Sequence, residues 1–342
     1  MNGRTIQVRT GARLHFGLIL GSDSTGWVFG GVGLMLQQPG WQLALQPTAA
    51  AAAASATAAA PDCVAGSPET VTRVTTLLQR LRSTLPELPP LTVHVDSEVP
   101  FHTGLGAGTQ LALGVAAACR WLCRHQPHQT PLQLAAAAGR AERSAIGTWG
   151  FDHGGFLVDY GATAAPLTDR VRSLALPADW RIVLVRPRES QGLSGAAESA
   201  WFGTRPQMSP ALVSEMAGII TERLVPAILE NRCTDFATAL QDYGDAAGNF
   251  YAGQQGHVFA DPQIRRLVDH LRRAGIHGAA QSSWGPGIGI PASSPHEARC
   301  ITEIIRSYDG DNQLLISTTA PLNAGASISR PAPESRSDSQ LA

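Results

Sequence analysis

The stretch Val99-Pro100-Phe101-His102-Thr103-Gly104-Leu105-Gly106-Ala107-Gly108-Thr109-Gln110 does most to limit what this chain can become. Residues 91–96 before it alternate as a strand, and an alanine-rich helix opens directly behind it at Leu111. Glycine at every second position lets the backbone approach an anion and turn its N–H groups inward. The helix start adds its partial positive charge. The loop matches neither the P-loop nor the dinucleotide fingerprint Gly-x-Gly-x-x-Gly. Taken alone it is either an anion cradle or a tight strand-to-helix turn.

Composition sharpens the choice. All 26 Lys+Arg residues are arginine, so there is no lysine for a Schiff base, a pyridoxal-phosphate anchor or a P-loop. An anionic ligand must therefore meet arginine, backbone N–H groups, hydroxyls or a metal. The net charge of -1 gives no sign of a nucleic-acid groove or an anionic membrane surface. No run of eighteen apolar residues suggests a membrane span, and the N-terminus lacks a signal-peptide core. A cytoplasmic protein is expected. The cysteines Cys63, Cys119, Cys123, Cys233 and Cys300 show no zinc-type spacing.

The chain length suggests about two domains. Residues 5–9, 14–20, 28–36 and 41–45 read as strands, and residues 49–60 as a low-complexity connection without chemistry. A helix is predicted over 69–85, with Val71, Val74, Leu78, Leu81 and Leu85 on one face. Four later helices are announced by a cap residue followed by proline: Thr130-Pro131, Ser209-Pro210, Asp261-Pro262 and Ser294-Pro295. They predict helices near 131–145, 210–230, 262–274 and 295–307, with another over 234–251. Strands at 156–160, 181–186 and 313–317 complete an α+β pattern. The domain boundary is expected near 170, giving units of 1–170 and 171–323. The composition after Ala324 predicts a disordered tail over 324–342.

Three further segments carry polar groups suited to chemistry. In Gln281-Ser282-Ser283-Trp284-Gly285-Pro286-Gly287, hydroxyls, an amide and an indole gather in a Gly-Pro loop, as would suit a polar aromatic ligand. In Gly11-Ala12-Arg13-Leu14-His15-Phe16-Gly17-Leu18, Arg13 and His15 project to one side of a strand. In the segment from Arg143 to Phe156, Asp152 and His153 could supply a base or a magnesium ligand. Each also has a plain structural explanation as a turn or an exposed strand face.

Together these segments resemble the GHMP kinase superfamily, and within it the β-ribofuranosylaminobenzene 5′-phosphate synthases. The resemblance spans most of residues 10–290. Gly104 to Gln110 is similar to the superfamily's second motif, with Thr109-Gln110 where kinases usually have Ser-Ser-Ala. Gln281-Ser282-Ser283-Trp284-Gly285-Pro286 stands where kinases carry a glycine-run third motif, which argues against ATP use. Arg143 to Gly147, Gly192 to Glu198 and Phe202 also look synthase-like.

The resemblance implies a fold with an N-terminal domain like ribosomal protein S5 domain 2 and a ferredoxin-like C-terminal domain. It implies an enzyme of tetrahydromethanopterin biosynthesis, joining 5-phosphoribosyl-1-pyrophosphate to 4-aminobenzoate or 4-hydroxybenzoate with loss of CO2 and pyrophosphate. Magnesium is the implied cofactor, with Asp152 as candidate ligand, and a homodimer is left open. The catalytic set implied is Arg13, His15, Asp152, Ser282 and Ser283. Gly104, Leu105, Gly106, Ala107, Gly108, Thr109, Gln110, Arg143, Gln281 and Trp284 would bind substrate. Arg13 or Arg143 could clamp a carboxylate, and Trp284 and Phe101 could pack on the ring. The competing readings are an ATP-dependent kinase of this fold and a silent, metabolite-sensing member.

Overall fold

A computed structural model describes residues 5–22, 24–25, 27–49, 61–123, 130–140, 144–161, 170–189, 195–204 and 206–331. Arg143, residues 192–194 and residues 50–60 of the alanine tract lie outside these.

The first strands are longer than the alternation predicts. β1 (Ile6–Leu20) and β2 (Val28–Pro47) form one antiparallel pair with register shifts, including one between Gly11 and Ala12. Such bulges bend a ribbon and let one strand serve both the sheet centre and its end. β3 (Cys63–Ala65), α1 (Pro68–Arg82) and β4 (Leu91–Ser97) follow, then α2 (Ala107–Leu122). Next come α3 (Pro131–Ala137), α4 (Ile146–His153), β5 (Phe156–Asp159) and β6 (Val171–Leu174). The helix predicted over 131–145 is thus shorter than expected. α3 stops at Ala137, and Gly139 at φ +69° turns the chain away.

The remaining elements are β7 (Arg181–Pro187), α5 (Gly195–Gly203), α6 (Pro210–Gly218), a π-helical turn (Ile219–Leu224), α7 (Val225–Leu229) and α8 (Cys233–Gln255). Then come α9 (Pro262–Arg273), β8 (Ala280–Gln281), β9 (Ile288–Ala292), α10 (Pro295–Tyr308), β10 (Leu314–Thr319) and β11 (Ser327–Ser329). All four predicted caps form. Thr130, Ser209, Asp261 and Ser294 each accept from a backbone N–H of the first turn.

Two sheets organise these elements. The larger runs β11-β1-β2-β4-β3, with β5 and β6 continuing from β2. The smaller has the order β10-β7-β9-β8. That is fourth, first, third and second in chain order, the ferredoxin-like arrangement, with α9 and α10 packed on it. β1 is buried almost throughout because α2 and α8 both pack against it. Residues 324–331 correct the expected tail. Ser327–Ser329 pairs with Gln7, Val8 and Arg9 of β1, so disorder does not begin at 324.

The fold brings the third loop to the first strand. Residues 282–287 form the turn between β8 and β9, and Ser283 N–H donates to the His15 carbonyl at 2.6 Å. Two segments some 270 positions apart in sequence thus meet at one point, beside the glycine loop.

Candidate active site

The glycine loop is built by backbone geometry. Gly104 and Gly106 sit at φ +80° and +68°, and Gly106 is the N-cap of α2 without a side-chain cap bond. A Cβ at Gly106 would lie 2.4 Å from Arg13 Cγ and 2.7 Å from Nε, so the loop is shaped around that guanidinium. On its other side Gly147 is as tightly placed, its Cβ position 3.0 Å from Arg13 Nε. The Arg13 N–H donates to Leu105 O at 3.0 Å, which holds strand and loop in register.

Arg13 is held in an unusual state. Its Nε and Nη1 are buried and meet no hydrogen-bond acceptor among the described residues. Burial pushes its pKa down to about 10; Glu198 opposes this and Arg140 reinforces it. A buried cation with unsatisfied donors is costly, and such groups are retained where a ligand completes them.

His15 is neutral. Burial first, then the charge of Arg13, lowers its pKa to about 3. Its Nδ1 accepts from Gly17 N–H at 3.4 Å, and its Nε2 lies 3.0 Å from Ser144 Oγ. The pH consequence follows from linkage. The unfolded chain protonates this ring near its ordinary 6.5 while the folded one does not until about 3. Stability is therefore expected to fall as pH drops below about 6.5, by about 1.4 kcal/mol per pH unit for this one proton. Urea midpoints from pH 7 to 5 should decline more steeply in the wild type than in His15→Gln.

Arg13, His15, Thr109, Ser144, Glu198 and Ser283 line a cavity of about 240 Å³. Phe202, Tyr251 and Trp284 line it too. Trp284, 7% exposed, meets Trp201 edge-to-face at 4.8 Å, Tyr251 at 4.9 Å and Phe202 at 6.3 Å. Tyr251 is fastened by donating to Leu18 O at 3.1 Å, and Tyr243 likewise to Gly17 O at 3.0 Å. Burial raises both phenols, so both stay protonated. The site combines cationic and hydroxyl donors with aromatic rings, which suits a planar aromatic beside an anionic group.

Residues 69–157 match the GHMP kinases N terminal domain. The chain is 28% identical to the beta-ribofuranosylphenol 5′-phosphate synthase of Methanothermobacter thermautotrophicus over 82% of this chain and 87% of that protein. It is 28% identical to the synthase of the same name from Archaeoglobus fulgidus over 69% and 74%. Among solved structures, homoserine kinase from Cytophaga hutchinsonii superposes with a TM-score of 0.64 at 14% identity, covering 96% of this chain and 98% of the kinase. Mevalonate diphosphate decarboxylase from Staphylococcus aureus gives 0.61 at 13% identity, covering 95% and 98%. The chain has the GHMP fold.

Within this GHMP fold the residues singled out from sequence separate into three groups. Arg13, His15, Thr109, Gln281, Ser283 and Trp284 line the cavity together. Gly104, Leu105, Gly106, Ala107 and Gly108, expected to bind substrate, are not among the lining residues; in this loop and first turn Leu105 and Gly106 pack on Arg13, Gly104 on Ser282, and the Ala107 carbonyl accepts from Trp41. Gly108 faces Arg140, whose Nη2 is 3.3 Å from its Cβ position.

The third group holds the corrections. Ser282 is wholly buried and its hydroxyl is consumed. It accepts from His15 N–H at 3.0 Å and donates to Gly104 O at 2.7 Å, tying three segments together without lining the cavity. Gln110 is likewise internal, accepting from Thr10 Oγ1 at 2.6 Å and donating to Gly147 O at 2.8 Å. Asp152 is exposed at the end of α4, paired with His153 at 3.1 Å and absent from the cavity wall. Phe101 stacks with Trp41 and under Arg73 instead of facing the cavity. Gln281 borders the cavity, but its amide is engaged with Ala260 N–H, Ser283 O and Gln255.

Sequence reasoning missed Ser144, Tyr251 and the pair Asp159–Arg170. Asp159 is fully buried, and Arg170 donates to it at 2.6 and 3.1 Å. It also accepts from Ala145 N–H at 3.0 Å, which sets the position of Ser144. An Asp in a short apolar strand was the available signal.

Proposed function

We propose that this protein is a phosphoribosyl-transferring, decarboxylating synthase that joins 5-phosphoribosyl-1-pyrophosphate to a 4-substituted benzoate. The observation that carries the reading is Arg13, a guanidinium with two buried, unsatisfied donor atoms, lining a cavity that Phe202, Tyr251 and Trp284 also line. The relatives' name specifies a ribosylated phenol as their product, so we take 4-hydroxybenzoate as the first acceptor to test and 4-aminobenzoate as the second.

The chemistry balances without a base. The ring carbon bearing the carboxylate bonds to the sugar carbon as pyrophosphate departs with the old C–O electron pair. Loss of CO2 then returns the C–C electrons to the ring and restores aromaticity. Arginine and backbone N–H groups offset the charge that builds on the departing oxygens, and the aromatic wall keeps water from the oxocarbenium-like sugar. His15, neutral and hydrogen-bonded at both nitrogens, serves to position its neighbours.

Magnesium belongs to the same reading. No three His, Cys, Asp or Glu side chains come together for a metal among the described residues, so no all-protein cage is offered. Glu198 borders the cavity, and a magnesium ion bound through one carboxylate and the substrate's own phosphate oxygens would suit that setting. When bound it would neutralise charge on the diphosphate. No described helix is long and apolar enough to cross a membrane; a cytoplasmic enzyme, active as a homodimer in tetrahydromethanopterin biosynthesis, completes the proposal.

The test is direct. Purified protein, 5-phosphoribosyl-1-pyrophosphate, magnesium and carboxyl-labelled 4-hydroxybenzoate should release labelled CO2 and pyrophosphate in equal amounts. Neither product from either benzoate would overturn the reading.

A further inference from the structure

Hydrogen-bond polarity in the cavity wall identifies one more functional group. The Gly17 backbone N–H can only donate, and it points at His15 Nδ1 from 3.4 Å. On that contact we assign the lone pair to Nδ1 and the ring proton to Nε2. Nε2 then donates to Ser144 Oγ, 3.0 Å away. A second N–H, that of Ile146, reaches the same oxygen at 3.2 Å. A serine hydroxyl has two lone pairs and one proton. Both lone pairs of Ser144 are taken, and no acceptor for its proton exists among the described residues.

Ser144 borders the same cavity as Arg13. We propose that Ser144 is an obligate hydrogen-bond donor to an anionic oxygen of the substrate, its polarity set by the relay from Gly17 through His15. The proposal rests on the synthase reading for the identity of that substrate. Two oxygens have the required chemistry: the carboxylate of the benzoate and a phosphate oxygen of the phosphoribosyl donor. A neutral amine or a second donor would be rejected at this position, because the serine cannot reverse its bond without breaking the relay.

The experiment compares Ser144→Ala and Ser144→Thr with the wild type. The alanine variant should raise the KM of one substrate, or lower kcat/KM through it, by roughly tenfold to a hundredfold, the cost of losing a donor to a charged oxygen. The threonine variant, which keeps the hydroxyl, should recover most of this. A rise confined to the benzoate assigns the carboxylate, and one confined to phosphoribosyl pyrophosphate assigns the phosphate. Calorimetric titration of 4-hydroxybenzoate and of inorganic pyrophosphate, each alone, provides an arm independent of turnover. If the wild type released no CO2, the synthase reading would fall while this arm still decided the donor. Unchanged affinity for both probes in Ser144→Ala, with unchanged kinetics, overturns the proposal. Equal losses in the alanine and threonine variants, with lowered melting temperatures, would also overturn it.

Discussion

Replacing Arg13 with methionine is expected to lower kcat/KM by roughly a hundredfold to a thousandfold and to leave the melting temperature unchanged or raised. Most arginines that a fold relies on are paired; this one holds Nε and Nη1 in a buried place with no acceptor among the described residues. Its reduced pKa, about 10, has burial as the first cause. The protein thus carries a desolvation penalty that Glu198 only partly offsets, and methionine of similar length would remove it. The same substitution strips the cavity of the cation that meets an incoming oxyanion. Arg13→Lys should not restore activity, since an ammonium cannot reproduce the planar fork that Gly106 and Gly147 enclose. Steady-state kinetics on both substrates together with thermal melts check this. A large fall in melting temperature with little change in kinetics would make Arg13 a structural residue.

Asp159→Ala is expected to destabilise the fold by about 3 to 5 kcal/mol, the range for removing one partner of a buried ion pair. Asp159 is fully buried and Arg170 is nearly so, with bonds of 2.6 and 3.1 Å between them. The carboxylate also accepts from Ala145 and Gly161 N–H, each at 3.0 Å. Removal would strip Arg170 of this counter-ion and leave two backbone donors without their acceptor. Because Ala145 adjoins Ser144, activity should fall as well as stability. Urea unfolding gives the first quantity and turnover in the absence of denaturant the second. A loss under 1 kcal/mol would show that water or relaxation replaces the pair.

Much of this was readable from residue types. The four Ser/Thr/Asp-Pro caps work because a side-chain oxygen and a missing N–H act within one turn, with no help from distant chain. The glycine loop and the shared side of Arg13 and His15 followed from backbone freedom and strand alternation. Reading failed where a side chain's duty depends on what lies opposite. Ser282 and Ser283 are adjacent hydroxyls in one loop, yet Ser282 is spent on His15 and Gly104 while Ser283 faces the cavity. Asp152 looked like a metal ligand by type and lies at the surface. Tyr251 reaches the site from a helix that carries no motif.

Sequence alone therefore decided the glycine-loop turn, the helix starts and the absence of lysine, which forces anions onto arginine, amides and hydroxyls. Those depend on covalent geometry and side-chain chemistry acting over a few residues. Tertiary structure decided the rest: which arginine is left unsatisfied, which serine donates, and that His15 is neutral. Burial, and the meetings of His15 with Ser144 and Ser282, belong to neighbours 129 and 267 positions away, and only the packed sheets bring those neighbours into contact.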